Sequence, residues 1–287
     1  MSKEPSYSTF NTADPAFPVL IAVPHAGRDY PLELLSALRV DPAELVRLED
    51  RYADRLAQRA IEAGVPAIIM RKARAWIDLN RAEDDYDAAM FSAGGSLAKP
   101  QCSAKTRGGL GLVPRRLHGC GELWKQQFEA DDLAARIEHE HRPYHLAVDS
   151  TLAAMRDRFG SALLIDLHSM PSLLPGSYNP PPRCVVGDRF GQSAAGHVSE
   201  MLIESVLREG IPCVLNSPYP GDFTLRRHGQ VRRNIHAVQL EFDRSLYLDE
   251  AQREPTAALP LLSDLVMRMA LDMADMLRGS YWAEAAE

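Results

Sequence analysis

The stretch that most constrains the fold is Ser161–Met170, which begins as a continuous apolar run and ends in Asp-Leu-His-Ser-Met. Such a run is typical of a strand buried on both faces. In open α/β sheets, ligands bind outside the carboxyl ends of the strands, so His168 is expected where a site would form. Asp166 and His168 are two residues apart and therefore project to the same side of a strand. Taken alone, the pattern favours a histidine that only hydrogen-bonds its neighbours.

Other apolar segments alternate with segments of helical periodicity. Strands are predicted at 17–23, 65–70, 75–81, 183–186, 213–215 and 236–242, and helices at 42–63, 121–142, 144–158, 192–209 and 256–277. This alternation predicts an α/β fold with a mainly parallel or mixed central sheet flanked by helices. Residues 1–16 are polar and are expected to form a loose lead-in. Because there is no repeat or linker, residues 17–287 are predicted to form a single domain.

Composition excludes several classes of function. The net charge of −7 argues against nucleic acid as a partner, because phosphate binding needs a basic surface. The N-terminus lacks the apolar region of a secretion signal, and no apolar run is long enough to span a bilayer. Four scattered cysteines without a C-x-x-C motif indicate free thiols in a reducing cytoplasm. We therefore expect a cytoplasmic protein with no membrane partner, and the sequence gives no argument for or against an oligomer.

Polar residues follow several of the predicted strands: His25, Asn80 with Arg81, His168 and Glu241. Parallel strands place their carboxyl ends at one edge of a sheet, so these side chains are expected to lie together. Two histidines and one carboxylate form a three-ligand zinc site with an open fourth position. A separate glutamate suits a general base that activates water. An asparagine–arginine pair suits a substrate carboxylate, which arginine binds through two parallel hydrogen bonds.

The carboxylate ligand is expected from the predicted helix 42–63, which follows the His25 loop. Asp50 and Asp54 are four residues apart and would share a face of that helix. Asp50 is favoured as the ligand because it lies nearer the start of the helix. Glu49 would point roughly 100° away and is the third choice. A solvated charged face is the alternative interpretation.

Five short motifs occur in order between about residue 17 and about residue 250: Val23–Gly27, Asp50–Leu56, Asp78–Arg81, Asp166–Ser169 and Gln239–Phe242. Together they resemble the N-formylglutamate amidohydrolase family, whose fold is related to zinc carboxypeptidases and aspartoacylases. The resemblance implies zinc held by two histidines and a carboxylate, a glutamate that activates water, and an Asn-Arg pair that binds the substrate carboxylate. On this chain those residues become His25, His168, Glu241, Asn80 and Arg81, with Asp50 as the chosen acid.

The sequence departs from the related families at two points. The carboxypeptidases begin with His-x-x-Glu, whereas here His25 is followed by Ala26–Arg28, so the acid ligand must come from elsewhere. A Gly-Gly element of the family is replaced by Gly221 and Asp222, which leaves the acyl group of the substrate open. Arg226 follows in the same loop and is a further candidate for anion binding, with a solvated surface arginine as the equal alternative.

The favoured function is zinc-dependent hydrolysis of N-formyl-L-glutamate, or a similar N-acyl acidic amino acid, to formate and L-glutamate. This substrate is what the resemblance implies, with one zinc per chain and Glu241 as the catalytic base. One alternative is a deacylase or carboxypeptidase-like peptidase that acts on another N-acyl amino acid. The other is a non-catalytic protein of the same fold that binds zinc or an acidic metabolite. Glu241 separates these classes, because a binding protein needs no base.

Overall fold

The computed structural model describes residues 5–92, 97–176 and 178–284, with the backbone alone for 280–284. Within these ranges the strands are β1 (Tyr7–Phe10), β2 (Val19–Val23), β3 (Ala67–Met70), β4 (Arg116–Leu117), β5 (Gly121–Glu122), β6 (Ala162–Met170), β7 (Cys184–Gly187), β8 (Cys213–Leu215) and β9 (Ile235–Asp243). The α-helices are α1 (Leu32–Ala37), α2 (Ala53–Leu56), α3 (Gln58–Glu62), α4 (Ala104–Arg107), α5 (Ala130–Arg136), α6 (Arg142–Phe159), α7 (Gly196–Arg208), α8 (Phe223–His228) and α9 (Leu259–Glu284). Short 3-10 helices span Pro42–Leu48, Ala88–Met90, Val231–Arg233 and Arg244–Leu246, and a π-helical turn spans Ile137–His141.

A seven-stranded sheet has the order β1-β3-β2-β6-β9-β7-β8. Strand β2 is parallel to β3 and β6, and β6 is parallel to β9. Strand β7 runs antiparallel to β9 and parallel to β8, so the sheet is mixed. Helices α7 and α8 pack against its strands, and α9 packs against β2. The predicted α/β class, with a mixed central sheet flanked by helices, is confirmed.

Burial at the centre of the sheet explains the continuous apolar run in Ser161–Met170. Every residue of β2, β6 and β9 is buried. Burying each large aliphatic side chain of these strands contributes roughly 1.5–3 kcal/mol relative to leaving it exposed. The acids and histidines of β6 and β9 are therefore held inside a rigid apolar frame. None of the helices in the described ranges is both long enough and apolar enough to cross a membrane.

The chain forms two compact units, one from residues 1–8, 24–49 and 70–146 and the other from residues 9–23, 50–69 and 147–287. The first unit contains α1, α4, α5 and the antiparallel pair β4–β5. The second contains most of the sheet, with α2, α3, α7, α8 and α9. The single domain predicted for 17–287 stays a prediction. Strand β1 lies inside the expected lead-in 1–16, of which residues 1–4 are outside the described ranges.

The single helix predicted at 42–63 is wrong. A 3-10 helix ends at Leu48, and α2 begins at Ala53. Between them Tyr52 has a φ of 61°, a left-handed conformation that a continuous right-handed helix cannot contain. Asp50 therefore lies in the connecting turn and does not share a helix face with Asp54.

The strand predicted at 75–81 is also wrong, because this segment forms turns. The amide of Trp76 donates to the carbonyl of Ala73, and the amide of Asn80 donates to the carboxylate of Asp78 at 2.9 Å. Such local hydrogen bonds compete with those of a sheet ladder. Asn80 and Arg81 consequently lie on a turn and not at the end of a strand.

Candidate functional site

Strands β6 and β9 place His168 and Glu241 at the same level of the sheet. The two residues are register partners, and so are Asp166 and Gln239. All four side chains are buried. The amide of Gln239 donates to Oε1 of Glu241 at 2.7 Å, which fixes the orientation of that carboxylate. A buried acid thus lies beside a buried imidazole, as the sheet argument predicts.

The imidazole of His168 lies between two carboxylates. Its Nδ1 donates to Oδ2 of Asp50 at 2.8 Å, and its Nε2 lies 3.0 Å from Oδ2 of Asp166. Burial disfavours the charged imidazole, but the negative charges of Asp166 and Asp50 outweigh it and raise the pKa of His168 well above its usual value. Both ring nitrogens therefore lie beside a carboxylate, and this negative environment suits a cation.

Asp50 is held in place by residues of β6 and of the turn after β9. Its Oδ1 accepts a hydrogen bond from Nη2 of Arg244 at 3.2 Å. The Nε of Arg244 donates to the hydroxyl of Ser169 at 3.1 Å. Arg244 thus forms its ion pair with Asp50 and orients the carboxylate that faces His168.

His25 is the second imidazole, and it follows β2 by two residues. Its Nε2 lies 2.7 Å from Oδ1 of Asp78, a fully buried carboxylate that also contacts Arg74 at 2.9 Å. Burial would raise the pKa of Asp78, but Arg74, His25 and Arg81 lower it well below its usual value. Asp78 is therefore ionised and orients the ring of His25 through Nε2.

The residues predicted as metal ligands can each offer one atom to a common ion. His25, Asp50 and His168 are all buried, and each offers an imidazole nitrogen or a carboxylate oxygen as a ligand atom. Two imidazoles and one carboxylate are a donor set of catalytic zinc sites. Metal-ligating histidines usually contact a carboxylate through the other ring nitrogen. His25 has such a carboxylate in Asp78, and His168 has one in Asp166. The donor atoms of these three residues therefore fit a zinc ion.

The asparagine and arginine assigned to the substrate are fixed by buried hydrogen bonds. Arg81 donates from Nε to the carbonyl of Leu110 at 2.8 Å and from Nη1 to the carbonyl of Asn80 at 2.6 Å. Its guanidinium also lies 4.0 Å from the carboxylate of Asp78. Asn80 and Arg81 are thus preorganised, and Asp78 contacts both this turn and His25.

Arg226 has a different environment from the other predicted site residues. It lies on α8 with an exposed side chain, and its guanidinium stacks 5.6 Å from the centre of the Phe223 ring. Its role in anion binding stays a prediction.

Sequence reasoning assigned no role to the carboxylates of Asp78 and Asp166, which contact the two histidines, or to Arg244 as the partner of Asp50. One signal was available, since Asp-Leu precedes both Asn80 and His168. An acid two residues before a polar site residue, inside an apolar segment, is expected to have a charged or polar partner, because an unpaired buried charge is costly. Arg244 left no such signal, because its partner Asp50 is distant in the sequence.

The sequence comparisons with known proteins agree with one another. The sequence model of the family described as N-formylglutamate amidohydrolase matches residues 17–248. An N-formylglutamate deformylase from Pseudomonas putida is 31% identical over 243 residues, which cover 82% of this chain and 83% of that protein. Its counterpart from Pseudomonas aeruginosa is 30% identical, with 81% and 83% covered.

Solved structures agree with these sequence matches. The crystal structure of N-formylglutamate amidohydrolase from Ralstonia eutropha JMP134 superposes with a TM-score of 0.88 at 25% identity, covering 96% of this chain and 99% of that one. A gene product from Agrobacterium tumefaciens has the same fold, with a TM-score of 0.64 at 14% identity. In that match, 99% of this chain and 97% of the other are covered.

Proposed function

The chain belongs to the N-formylglutamate amidohydrolase family, and we propose that it hydrolyses N-formyl-L-glutamate, or a similar N-acyl acidic amino acid, to formate and L-glutamate. The observation that carries the proposal is the buried pair of His168 and Glu241 on neighbouring strands. It combines a metal-binding side chain with a base at one level of the sheet. The names of the two Pseudomonas relatives support the same substrate.

The proposed cofactor is one zinc ion per chain, with His25, Asp50 and His168 as its ligands. When bound, zinc supplies a Lewis acid that lowers the pKa of water and polarises the formyl oxygen. The protein holds the two imidazoles through Asp78 and Asp166, and such contacts fix ring orientation and raise the basicity of the ligands.

Glu241 is the proposed general base. It takes a proton from the attacking water and delivers it to the nitrogen of the leaving glutamate. Gln239 holds its carboxylate in one orientation through the 2.7 Å hydrogen bond. This role separates the proposed enzyme from a protein that only binds zinc or an acidic metabolite.

Asn80 and Arg81 are the proposed binding residues for a carboxylate of the substrate. Arginine presents a planar set of donors that matches a carboxylate, and here the guanidinium is fixed by the carbonyls of Leu110 and Asn80. Arg226 is proposed as a further anion-binding residue. Because binding holds the amide in place, the residues at the reacting bond act on a fixed substrate.

Asp50→Asn is expected to lose zinc, whereas Asp54→Asn is expected to retain it. An amide lacks the charge that offsets Zn²⁺, and Asp50 is the acid that contacts His168. Asp54 lies on α2 and makes the matched control. Metal analysis of the two purified, folded variants gives the answer. Loss of zinc from the Asp54 variant alone would assign the ligand role to Asp54.

Arg81→Lys is expected to raise KM for N-formyl-L-glutamate by about 10- to 100-fold at normal zinc content. Lysine keeps the charge but loses the planar fork, and hydrogen bonds to charged groups contribute about 1.5–3 kcal/mol each. Arg74→Lys is the control, because Arg74 contacts the same Asp78 but is not assigned to the substrate. KM is compared for N-formyl-L-glutamate and its two monoamides. A similar rise for all three substrates would show that Arg81 does not bind a carboxylate.

The choice of substrate is tested by formate and acid release from a panel of N-acyl amino acids. The panel contains N-formyl-L-glutamate, N-formyl-L-glutamine and N-acetyl-L-glutamate at equal concentrations. The proposal expects the highest kcat/KM for N-formyl-L-glutamate. A higher kcat/KM for N-acetyl-L-glutamate would favour the alternative of a deacylase with another acyl group.

A further inference from the structure

Three consecutive backbone carbonyls of the turn Leu79–Arg81 each accept a hydrogen bond from a side chain. His145 contacts the carbonyl of Leu79 through Nε2 at 2.9 Å. Arg81 donates from Nη1 to the carbonyl of Asn80 at 2.6 Å. His141 contacts the carbonyl of Arg81 through Nε2 at 2.8 Å. Two histidines therefore hold the first and last residues of a turn whose middle carbonyl is held by its own arginine.

The two histidines come from one helical segment with an unusual local geometry. The π-helical turn Ile137–His141 passes directly into α6, so His141 and His145 lie one turn apart on the same face. Their rings are 4.5 Å apart between centroids, and both side chains are buried. Single π-helical turns inside α-helices occur frequently at functional sites. Here the irregular turn directs the first of the two histidines at the Leu79–Arg81 turn.

We propose that His141 and His145 are positioning residues, which set the substrate specificity of the site by holding Asn80 and Arg81 in the geometry that binds the substrate carboxylate. This inference rests on the proposed function, in which Asn80 and Arg81 bind that carboxylate. Neither histidine is assigned a contact with the substrate. Both act through the carbonyls of the turn, and a carbonyl oxygen accepts only if the proton of the neutral imidazole is on Nε2.

The turn needs such support because no sheet or helix fixes its backbone. The segment around it forms turns, and its local hydrogen bonds, from the amides of Asn80 and Arg81 to Asp78, satisfy the amide groups and not the three carbonyls. A binding residue must be held within about 0.5 Å of its productive position, and a shift of about 1 Å can cost on the order of 10²-fold in rate. Two buried imidazoles anchored on one helical segment meet this requirement better than mobile side chains.

The test uses His145→Leu and His141→Leu in the full-length, zinc-loaded protein. Each is expected to raise KM for N-formyl-L-glutamate by about 10-fold or more, with kcat changed far less, because the base and the metal ligands are untouched. His145→Gln is expected to restore most of the affinity, since its amide can donate to the carbonyl of Leu79. His139→Leu, an exposed histidine on the same helical segment, is the control and should keep the KM of the unmodified protein.

Two further measurements separate positioning from packing. Amide hydrogen exchange at residues 79–82 should accelerate in both leucine variants, and direct titration with L-glutamate should show the same loss of affinity as KM. Unchanged KM and unchanged exchange in either folded leucine variant would overturn the inference. So would a rise of KM in His145→Gln equal to that in His145→Leu. If His145→Leu does not fold, His141→Leu and His145→Gln decide.

Failure of the proposed function gives a different result. If the unmodified, zinc-loaded protein releases no formate from N-formyl-L-glutamate, the proposed reaction is wrong, and with it the specificity that the two histidines are said to set. Hydrogen exchange at residues 79–82 then still reports whether they hold the turn. If the unmodified protein is active and the leucine variants match it in KM, the reaction stands and the positioning role is wrong.

Discussion

Purified His168→Ala protein is expected to contain little or no zinc, whereas the unmodified protein is expected to contain about one zinc per chain. The substitution removes one of the three proposed ligands and leaves the carboxylates of Asp50 and Asp166 without the imidazole between them. Mutation of an outer partner alone typically costs roughly 10- to 100-fold in metal affinity, so loss of a ligand should cost more. Metal analysis together with circular dichroism separates loss of zinc from loss of fold.

Two matched variants make this result specific. Asp166→Asn keeps the ligand but weakens its outer contact, so its zinc affinity should fall by roughly 10- to 100-fold. His236→Ala changes another buried histidine of the same sheet, whose pKa is lowered to about 4 by burial and by His197. It should keep its zinc. Full zinc occupancy in the folded His168→Ala protein would remove His168 from the metal site.

Glu241→Gln is expected to keep zinc and fold but to lose a factor of roughly 10² to 10⁴ in kcat, the usual contribution of a positioned general base. Glutamine has nearly the same size, and its carbonyl oxygen can still accept the hydrogen bond that Gln239 donates. It cannot accept a proton from water. The variant therefore removes the base while it leaves the buried strand β9 intact.

The competing interpretation is a glutamate that only stabilises the sheet. A structural glutamate would lower the melting temperature on mutation and leave kcat near normal. The control is Gln239→Leu, which keeps the base but removes its orienting hydrogen bond and should cost less activity than Glu241→Gln. Normal kcat in folded, zinc-loaded Glu241→Gln protein would rule out the mechanism.

The elements that the sequence predicts best are those whose burial is complete. Strands β6 and β9 are buried along their whole length, so their apolar runs are unambiguous. Parallel pairing then brings His168 level with Glu241 without further information. The antiparallel pairing of β7 with β9, which makes the sheet mixed, is not contained in these patterns.

The elements that it predicts worst are those fixed by contacts between distant residues. Asp50 lies in a turn, and its carboxylate pairs with Arg244, which is 194 residues away along the chain. Asp78 likewise contacts His25 from 53 residues away, and the turn around it replaces the expected strand. Local periodicity contains no information on such partners. The sequence therefore indicates that a buried acid such as Asp78 needs a partner, but only the structure pairs Asp78 with His25 and Asp50 with Arg244.

The most direct test of the proposed function is formate release from N-formyl-L-glutamate by the purified protein before chelation, after chelation and after zinc is restored. Equal amounts of formate and L-glutamate are expected from the untreated protein, with little turnover after the metal is removed. Activity should return as zinc reaches about one ion per chain, the occupancy expected of a single three-ligand site. Full activity in metal-free protein, or no formate from protein that contains one zinc per chain, would contradict the proposed zinc-dependent reaction.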